Sequence, residues 1–481
     1  MRTYISQRNA FFAIITLITI AFTNPLYSQF TAPTSPFVAL DTTPPPPGIE
    51  LITSDSPCPG KFFISNIDRT TPTSKSHLLI IDNNGKVFES KYLHTAANNF
   101  QMQPNGQLTY YANAESQFYV LDSNFNTLRT IKAEQTFGTG FHELLIFENG
   151  NYMVIGRQSR VVDLSHIGGS PTASVTDCAL LEYDKNDNKV FEWNSKDHFN
   201  VIDATFENFS APTISYCHIN GIEIDNDNNI LISSRNMDEI TKIDRLTGNI
   251  IWRFGGKNNQ FALIGDTIFF NHQHSIRVLP NGNYILFDNG NFNNPTLSRA
   301  CEYKLDTSAM TATLVWKYVH PLNIYSFATG SIQWLPNDNI LIGWGADRRI
   351  TATEVDRLGN TKCEFRLSDF WESYRVYKFP WQRQPVTSVN NPKYVNQHSQ
   401  PQIFPNPASN RFSASFYLDG FSDVHISLID ELGRTILTKD HLQCLPGYST
   451  VSIDITSVAS GVYTVRLQNA TSVSYSRLVV E

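Results

Sequence analysis

Charge is scarce in this chain. Only 17% of its 481 residues are Asp, Glu, Lys or Arg, and the formal net charge is -7. Phosphate backbones bind basic surfaces, so this balance excludes a nucleic-acid partner on electrostatic grounds. Cysteine is equally sparse. Cys58, Cys178, Cys217, Cys301, Cys363 and Cys444 stand apart with no Cys-x-x-Cys pair, which removes the spacing of a structural zinc site. Exported, such a chain can form disulfides, but the spacing chooses no partners and buried thiols are the competing reading. No Gly-x-Ser-x-Gly elbow stands in a strand-to-helix setting, and no glycine loop is built to cradle phosphate. The glycines of "RFGGKNNQF" (Arg253 to Phe261) follow a hairpin and open no helix. Asp225, Asp227 and Asn229 in "DNDNN" lack the later glutamate and flanking helices of an EF-hand, so they read as a polar turn. Neither a metal nor a cofactor is expected.

Apolar runs are also short. The longest candidate, "AFFAIITLITIAF" (Ala10 to Phe22), follows Arg2 and Arg8 and precedes small and polar residues up to Ser28. That order predicts a cleaved signal peptide over residues 1–28, with an uncleaved anchor as the alternative. No later stretch is apolar enough to span a bilayer, so the mature chain is expected to carry no transmembrane anchor. Residues 29–48, with Pro44 to Pro47 in a row, read as an extended arm.

What is abundant is strand-forming residues and polar turns: aromatics make up 12% of the chain. Five segments share an alternating apolar run, a tight Asn/Asp/Gly turn and a second apolar run. They begin at Asn98, Phe141, His218, His272 and Gly330. A second kind of hairpin alternates with them, marked by Asp82, Asp122, Asp184, Asp244, Asp306 and Asp356. Two hairpins make a four-stranded sheet that cannot bury both faces alone, and repetition around an axis solves this. The expected fold is all-β: a six-bladed β-propeller over residues 49–383, with "YRVYKFPW" (Tyr374 to Trp381) closing the ring against "KFFISN". A polar linker, 384–401, precedes a small C-terminal β-sandwich over 402–481. A two-sheet sandwich for the long domain does not explain six alternating hairpin pairs.

Counting back from the turn aligns the repeats. Eight residues before Gly106, Gly150, Asn228, Gly282 and Asp338 stand Asn98, His142, Asn220, His274 and Gly330. Ten residues before stand Ala96, Gly140, His218, His272 and Ala328. Both offsets are even, which predicts a shared strand face turned toward the propeller channel, with His218 and His272 nearer the mouth. Imidazoles converging from separate blades can act as nucleophile or proton donor. The competing reading is that these polar residues tie blades together by hydrogen bonds.

The segments "HINGIEIDNDNNILISSRNMDEITKID", "TGNIIWRFGGKNNQF", "QHSIRVLPNGNYILFDNG" and "SRACEYKLD" resemble, in that order, the arylsulfotransferase family, over Phe141 to Trp381. The resemblance implies a six-bladed propeller that moves a sulfuryl group from an aryl sulfate ester to a phenol through a histidine, without a nucleotide donor. His218 matches the family's HxNS-type histidine and His274 its QH histidine, with His142 as a third catalytic candidate. Arg235, Arg299, Arg375 and Asn220 are the candidates for binding substrate. Two departures leave the nucleophile open: "DNGNFNNP" has no arginine, and "TGSIQWLPNDNILIGWGADRRI" has no histidine. His320 lies near the latter without aligning to it. A non-catalytic propeller that binds a carbohydrate or a protein at the cell surface is the alternative, and hydrolysis with water as acceptor is a third.

The tail, through "IFPNPASNRFSASF", "LIDELGRTIL" and "GVYTVRLQ", resembles the C-terminal sorting domain of type IX secretion. That implies export through periplasm and outer membrane, with the secretion machinery as partner and a secreted or cell-surface location. From its composition alone the tail also fits a small binding sandwich.

Overall fold

A computed structural model describes residues 43–68, 75–368, 371–381, 401–418, 422–430, 434–444, 447–469 and 473–481. The expected signal peptide, the arm up to residue 42 and the linker over 384–400 lie outside the described residues. Apart from four single-turn 3-10 segments, every described element is a strand.

Residues 49–379 form six sheets, each built outward from an inner strand. The inner strands are Ala97–Met102 (sheet I), Gly138–Ile146 (II), Ile219–Ile224 (III), His274–Val278 (IV), Ser331–Trp334 (V) and Glu372–Phe379 (VI). They touch in a closed cycle, I to II and onward to VI, which returns to I. This is the arrangement of a β-propeller.

Closure comes from the two ends of the domain. Glu372–Phe379 pairs antiparallel with Lys61–Ile67, so sheet VI takes its inner strand from the end of the domain and its other three from the beginning. Ile49–Ser54 adds to the outer edge of sheet V against Thr361–Leu367. The expected pairing of "YRVYKFPW" with "KFFISN" therefore holds.

Each neighbouring pair of sheets shares its own apolar cluster, which is how a sheet buries a face it cannot bury alone. Between VI and I, Phe63 packs against Phe100, Phe379 and Trp381. The six marker aspartates sit in the turns between third and fourth strands. Each accepts the backbone N–H two residues on and another one or two residues later. Inner strands are also tied across sheets by polar side chains. Asn99 Nδ2 donates to His142 O, and Gln333 exchanges two hydrogen bonds with the backbone of Lys378.

Residues 402–480 form two further sheets, Gln402–Phe404 with Arg411–Leu418 and Gly447–Asp454, and a four-stranded one running from Thr435–Cys444 to Val473–Val480. Phe412, Ile426, Leu428, Ile453, Val465 and Leu478 form their shared core. This is a β-sandwich.

Phe63 is fully buried at the closing seam. Phe63→Ala is expected to lower unfolding free energy by about 3–5 kcal/mol, read from the midpoint of urea denaturation.

Candidate active site at the propeller axis

Where the chain enters the inner strands of sheets III and IV, the backbone turns left-handed. His218 has φ 47° and His272 has φ 52°, a region that side-chain-bearing residues seldom occupy. This kink interrupts the alternation of the strand. The even offset therefore does not put His272 beside His274. The His272 ring packs edge-on to Phe292, 4.9 Å between centroids, and faces Phe206 at 6.3 Å.

The other three histidines do meet. The His142 ring lies 4.9 Å from that of His218 and 6.4 Å from that of His274, centroid to centroid. They come from three different sheets, which the ring closure brings together.

Hydrogen bonding fixes one of these rings fully. His274 Nδ1 lies 2.7 Å from Asn289 Oδ1 and 3.1 Å from His272 O. Asn289 Nδ2 donates to Ser326 O and Thr329 O, so its amide orientation is set and Oδ1 must accept. With two acceptors facing it, Nδ1 of His274 carries the proton, and the lone pair is left on Nε2. His142 Nδ1 bonds the Tyr374 hydroxyl, while its Nε2 is buried with no partner among the described residues.

All four imidazoles are held neutral at ordinary pH. Burial pushes His142 and His274 well below the usual histidine value. For His142 the neighbouring His218, His274, Arg375 and Arg157 push further; for His274, Arg235 does so. His218 is pushed down to about 3, first by burial and then by Arg235 and Arg157. His272 is pushed down to about 3 by burial and Arg235. A neutral, desolvated imidazole keeps its lone pair for nucleophilic or basic work.

Three arginines thus act on the cluster, Arg375 among them, and two of these, Arg157 and Arg235, have no carboxylate partner among the described residues. Arg235 hydrogen-bonds Asn236 Oδ1 and Phe327 O, and Asp238 and Glu207 attract it from beyond ion-pair distance. Arg157 was not among the candidates read from sequence. No carboxylate lies within ion-pair distance of either guanidinium among the described residues, so both can take anionic oxygens. The signal for Arg157 lies seven residues after the turn reference rather than eight before it. That slot holds Asn113, Arg235, Asn289 and Gly345 just past the second strands of sheets I, III, IV and V, and Arg157 within the longer second strand Tyr152–Val162 of sheet II. It faces the inner-strand slot across the hairpin: Asn98 Nδ2 donates to Asn113 Oδ1 at 2.8 Å, just as His274 reaches Asn289.

The remaining candidates are structural in their contacts. Arg375 is fully buried. It pairs with Glu143 at 2.7 Å and donates to the Tyr377 hydroxyl at 2.9 Å and Asn220 O at 2.7 Å. Arg277 bonds the same Glu143 and Tyr377, so four sheets meet in one polar floor under the histidines. Asn220 is a tie between sheets III and IV, its amide donating to Gln273 O at 2.7 Å. Arg299 is committed to Asp288 at 2.8 Å and Asp266 at 2.9 Å, away from the cluster. His320 is held by Glu364 at 2.8 Å and accepts from Leu322 N. Asp225 and Asp227 both pair with Lys242, at 2.6 and 2.7 Å.

The mouth of the site is aromatic. Phe206 and Phe292 stack at 3.6 Å between centroids, and with Phe327 they are each about half exposed. A cleft of about 790 Å³ lies elsewhere. It is lined by Asn83, Gly106, Ser123 and Trp381 at the turn end of the strands, the face opposite the histidines.

Residues 49–386 match the family model described as arylsulfotransferase (ASST), and residues 402–481 match that of a secretion system C-terminal sorting domain. No curated protein matches the chain. Among solved structures it is similar to a protein of unknown function from Bacteroides caccae, at 12% identity and a TM-score of 0.44, covering 66% of this chain and 98% of that one. It is also similar to virginiamycin B lyase from Staphylococcus aureus (10%, 0.34, covering 70% and 89%). A third is PorZ, a surface component of the type IX secretion system of Porphyromonas gingivalis (10%, 0.25, covering 85% and 74%). At these TM-scores none of the three bears on function. The sorting domain marks the chain for the cell surface or for secretion, and no helix among the described residues is long and apolar enough to cross a membrane. The family match spans well over half of the sequence and takes in every side chain of the axial cluster: this chain belongs to the arylsulfotransferase family.

Proposed function

We propose that the protein moves a sulfuryl group from an aryl sulfate ester to a phenolic acceptor, with His274 carrying the group between them. The observation that supports His274 over His142 and His218 is its fixed tautomer. Asn289 holds the proton on Nδ1 and leaves the Nε2 lone pair free. In the first half-reaction Nε2 attacks sulfur, the sulfur–oxygen bond to the aryl group breaks, and the phenolate leaves. His142 supplies the departing phenolate with a proton from Nε2 while Nδ1 takes the proton of the Tyr374 hydroxyl, so the ring stays neutral and the charge passes to the Tyr374 oxygen beside Arg375. In the second half-reaction the relay reverses: Nε2 of His142 takes the acceptor's phenolic proton and Nδ1 returns its own to Tyr374. The acceptor oxygen attacks sulfur, and the bond to His274 breaks.

Arg157 and Arg235 bind the sulfuryl oxygens, whose charge they neutralise as it redistributes. The phenylalanine-lined mouth receives the aryl ring. His218, lowered by Arg235 and Arg157 and packed against His142, adds no charge of its own to the empty site.

The test is transfer from a chromogenic aryl sulfate to a phenol by purified protein. His274→Ala is expected to lower kcat/KM by about 10³-fold or more, and Asn289→Ala by a smaller factor because the tautomer is released. If His274→Ala transfers as fast as the parent, His274 is not the carrier. Arg157→Ala and Arg235→Ala are each expected to cost about 10²–10³-fold. Arg299→Ala is instead expected to lower stability by about 3–5 kcal/mol, because it strands two buried carboxylates, with KM little changed.

The pH profile carries a sign. A sulfate ester does not titrate near neutrality, so the acid limb of kcat/KM reports the histidines. Their values are displaced downward, so the neutral forms persist as pH falls through 6.5, and the acid limb should appear only well below that pH. A limb centred at an ordinary histidine value would contradict the burial of the cluster.

A further inference from the structure

Cys178 and Cys217 have no part in the proposed transfer, yet they stand against it. Both are free thiols here and completely buried in the cluster between sheets II and III. Ser195 Oγ links them: it accepts from Cys178 N at 2.9 Å and lies 3.6 Å from Cys217 Sγ. The parallel pairing of Ser174 with Thr213 and Val175 with Ile214 keeps the same offset that separates Cys178 from Cys217, so the two chain segments run side by side toward both thiols. Cys58 and Cys363 share a different cluster, but Cys58 N donates to Glu354 Oε1 and, among the described residues, no side chain bridges the two as Ser195 does. Cys301 and Cys444 lie in separate clusters. Among the described cysteines, only Cys178 and Cys217 are linked through a shared side chain.

We infer that Cys178 and Cys217 are joined by a disulfide in the exported protein, and that this bond anchors the segment carrying His218 to the sheet carrying Arg157. Cys217 directly precedes His218, the residue held at φ 47°. Cys178 is the cross-strand partner of Arg157. The bond therefore ties together the backbones of two pocket residues.

The chemistry balances by thiol–disulfide exchange with a disulfide-carrying oxidant, the class of reagent that maintains disulfides outside the cytoplasm. One protein thiolate attacks the oxidant's disulfide and releases one thiolate; the second protein sulfur then displaces the other. The protein loses two thiol hydrogens and two electrons, and the oxidant gains them. Because both thiols are buried, the bond forms before or during folding.

The full chain, folded in a glutathione couple set to an oxidising poise, is denatured in N-ethylmaleimide and digested without reductant. A linked peptide pair containing Cys178 and Cys217, two hydrogens lighter than the sum, is expected, with the other four cysteines alkylated. Recovery of both as alkylated single peptides would overturn the inference, and so would a Cys58–Cys363 link in place of theirs. A second reading follows melting with and without reductant. Reduction should lower the Tm of the parent by about 5–10 °C. It should leave a Cys178→Ala/Cys217→Ala double variant unmoved, and an equal shift in both proteins would also refute the bond. Neither readout requires sulfuryl transfer.

Discussion

The pairing of Glu372–Phe379 with Lys61–Ile67 is the constraint on which the rest of the molecule depends. Without it six sheets form an open row whose end faces are apolar and unpaired. With it, every sheet has two neighbours and each buried face finds a partner. The same strand delivers Tyr374 to His142 and Arg375 to Glu143. Closure of the fold and construction of the site floor are thus one event. A charge buried as completely as Arg375 is tolerable only because a carboxylate, a phenol and a carbonyl surround it.

Above that floor the protein uses polarity sparingly. The histidines are kept neutral by burial and by nearby arginines, of which Arg157 and Arg235 lack close carboxylates. Such a pocket is uncomfortable when empty, since positive groups face unprotonated rings with no anion between them. It suits a ligand that brings negative charge and an apolar ring together, which is what the aromatic mouth and the arginine pair would receive.

Much of this was legible in the sequence because repetition makes position meaningful. Six aspartates count the sheets' outer turns, and alignment on the inner turn brings His142, His218 and His274 toward one point. What escaped has physical reasons. Arg157 sits on the second strand, so a count confined to inner-strand starts passes over it. His272 was placed by strand alternation, but alternation fails at a residue with φ 52°. Arg299 and Arg375 looked like anion binders because a lone sequence position does not reveal a carboxylate partner that arrives from elsewhere: Asp266 and Asp288 for one, and Glu143, over two hundred residues away, for the other. Asn220 satisfied the bland expectation of a tie between blades.

The order in which the ring is assembled sets a problem of timing. Ribosomes and export channels release a chain from its N-terminus, so Lys61–Ile67 emerges early and its inner partner emerges last. Until residues 372–379 appear, Phe63 and Ile64 present an apolar strand edge ready to join any other chain. Long-range closure of this kind is also slow. The nascent propeller therefore needs an escort, or a crossing fast enough to outrun aggregation, for the whole interval in which its first sheet waits for its last strand.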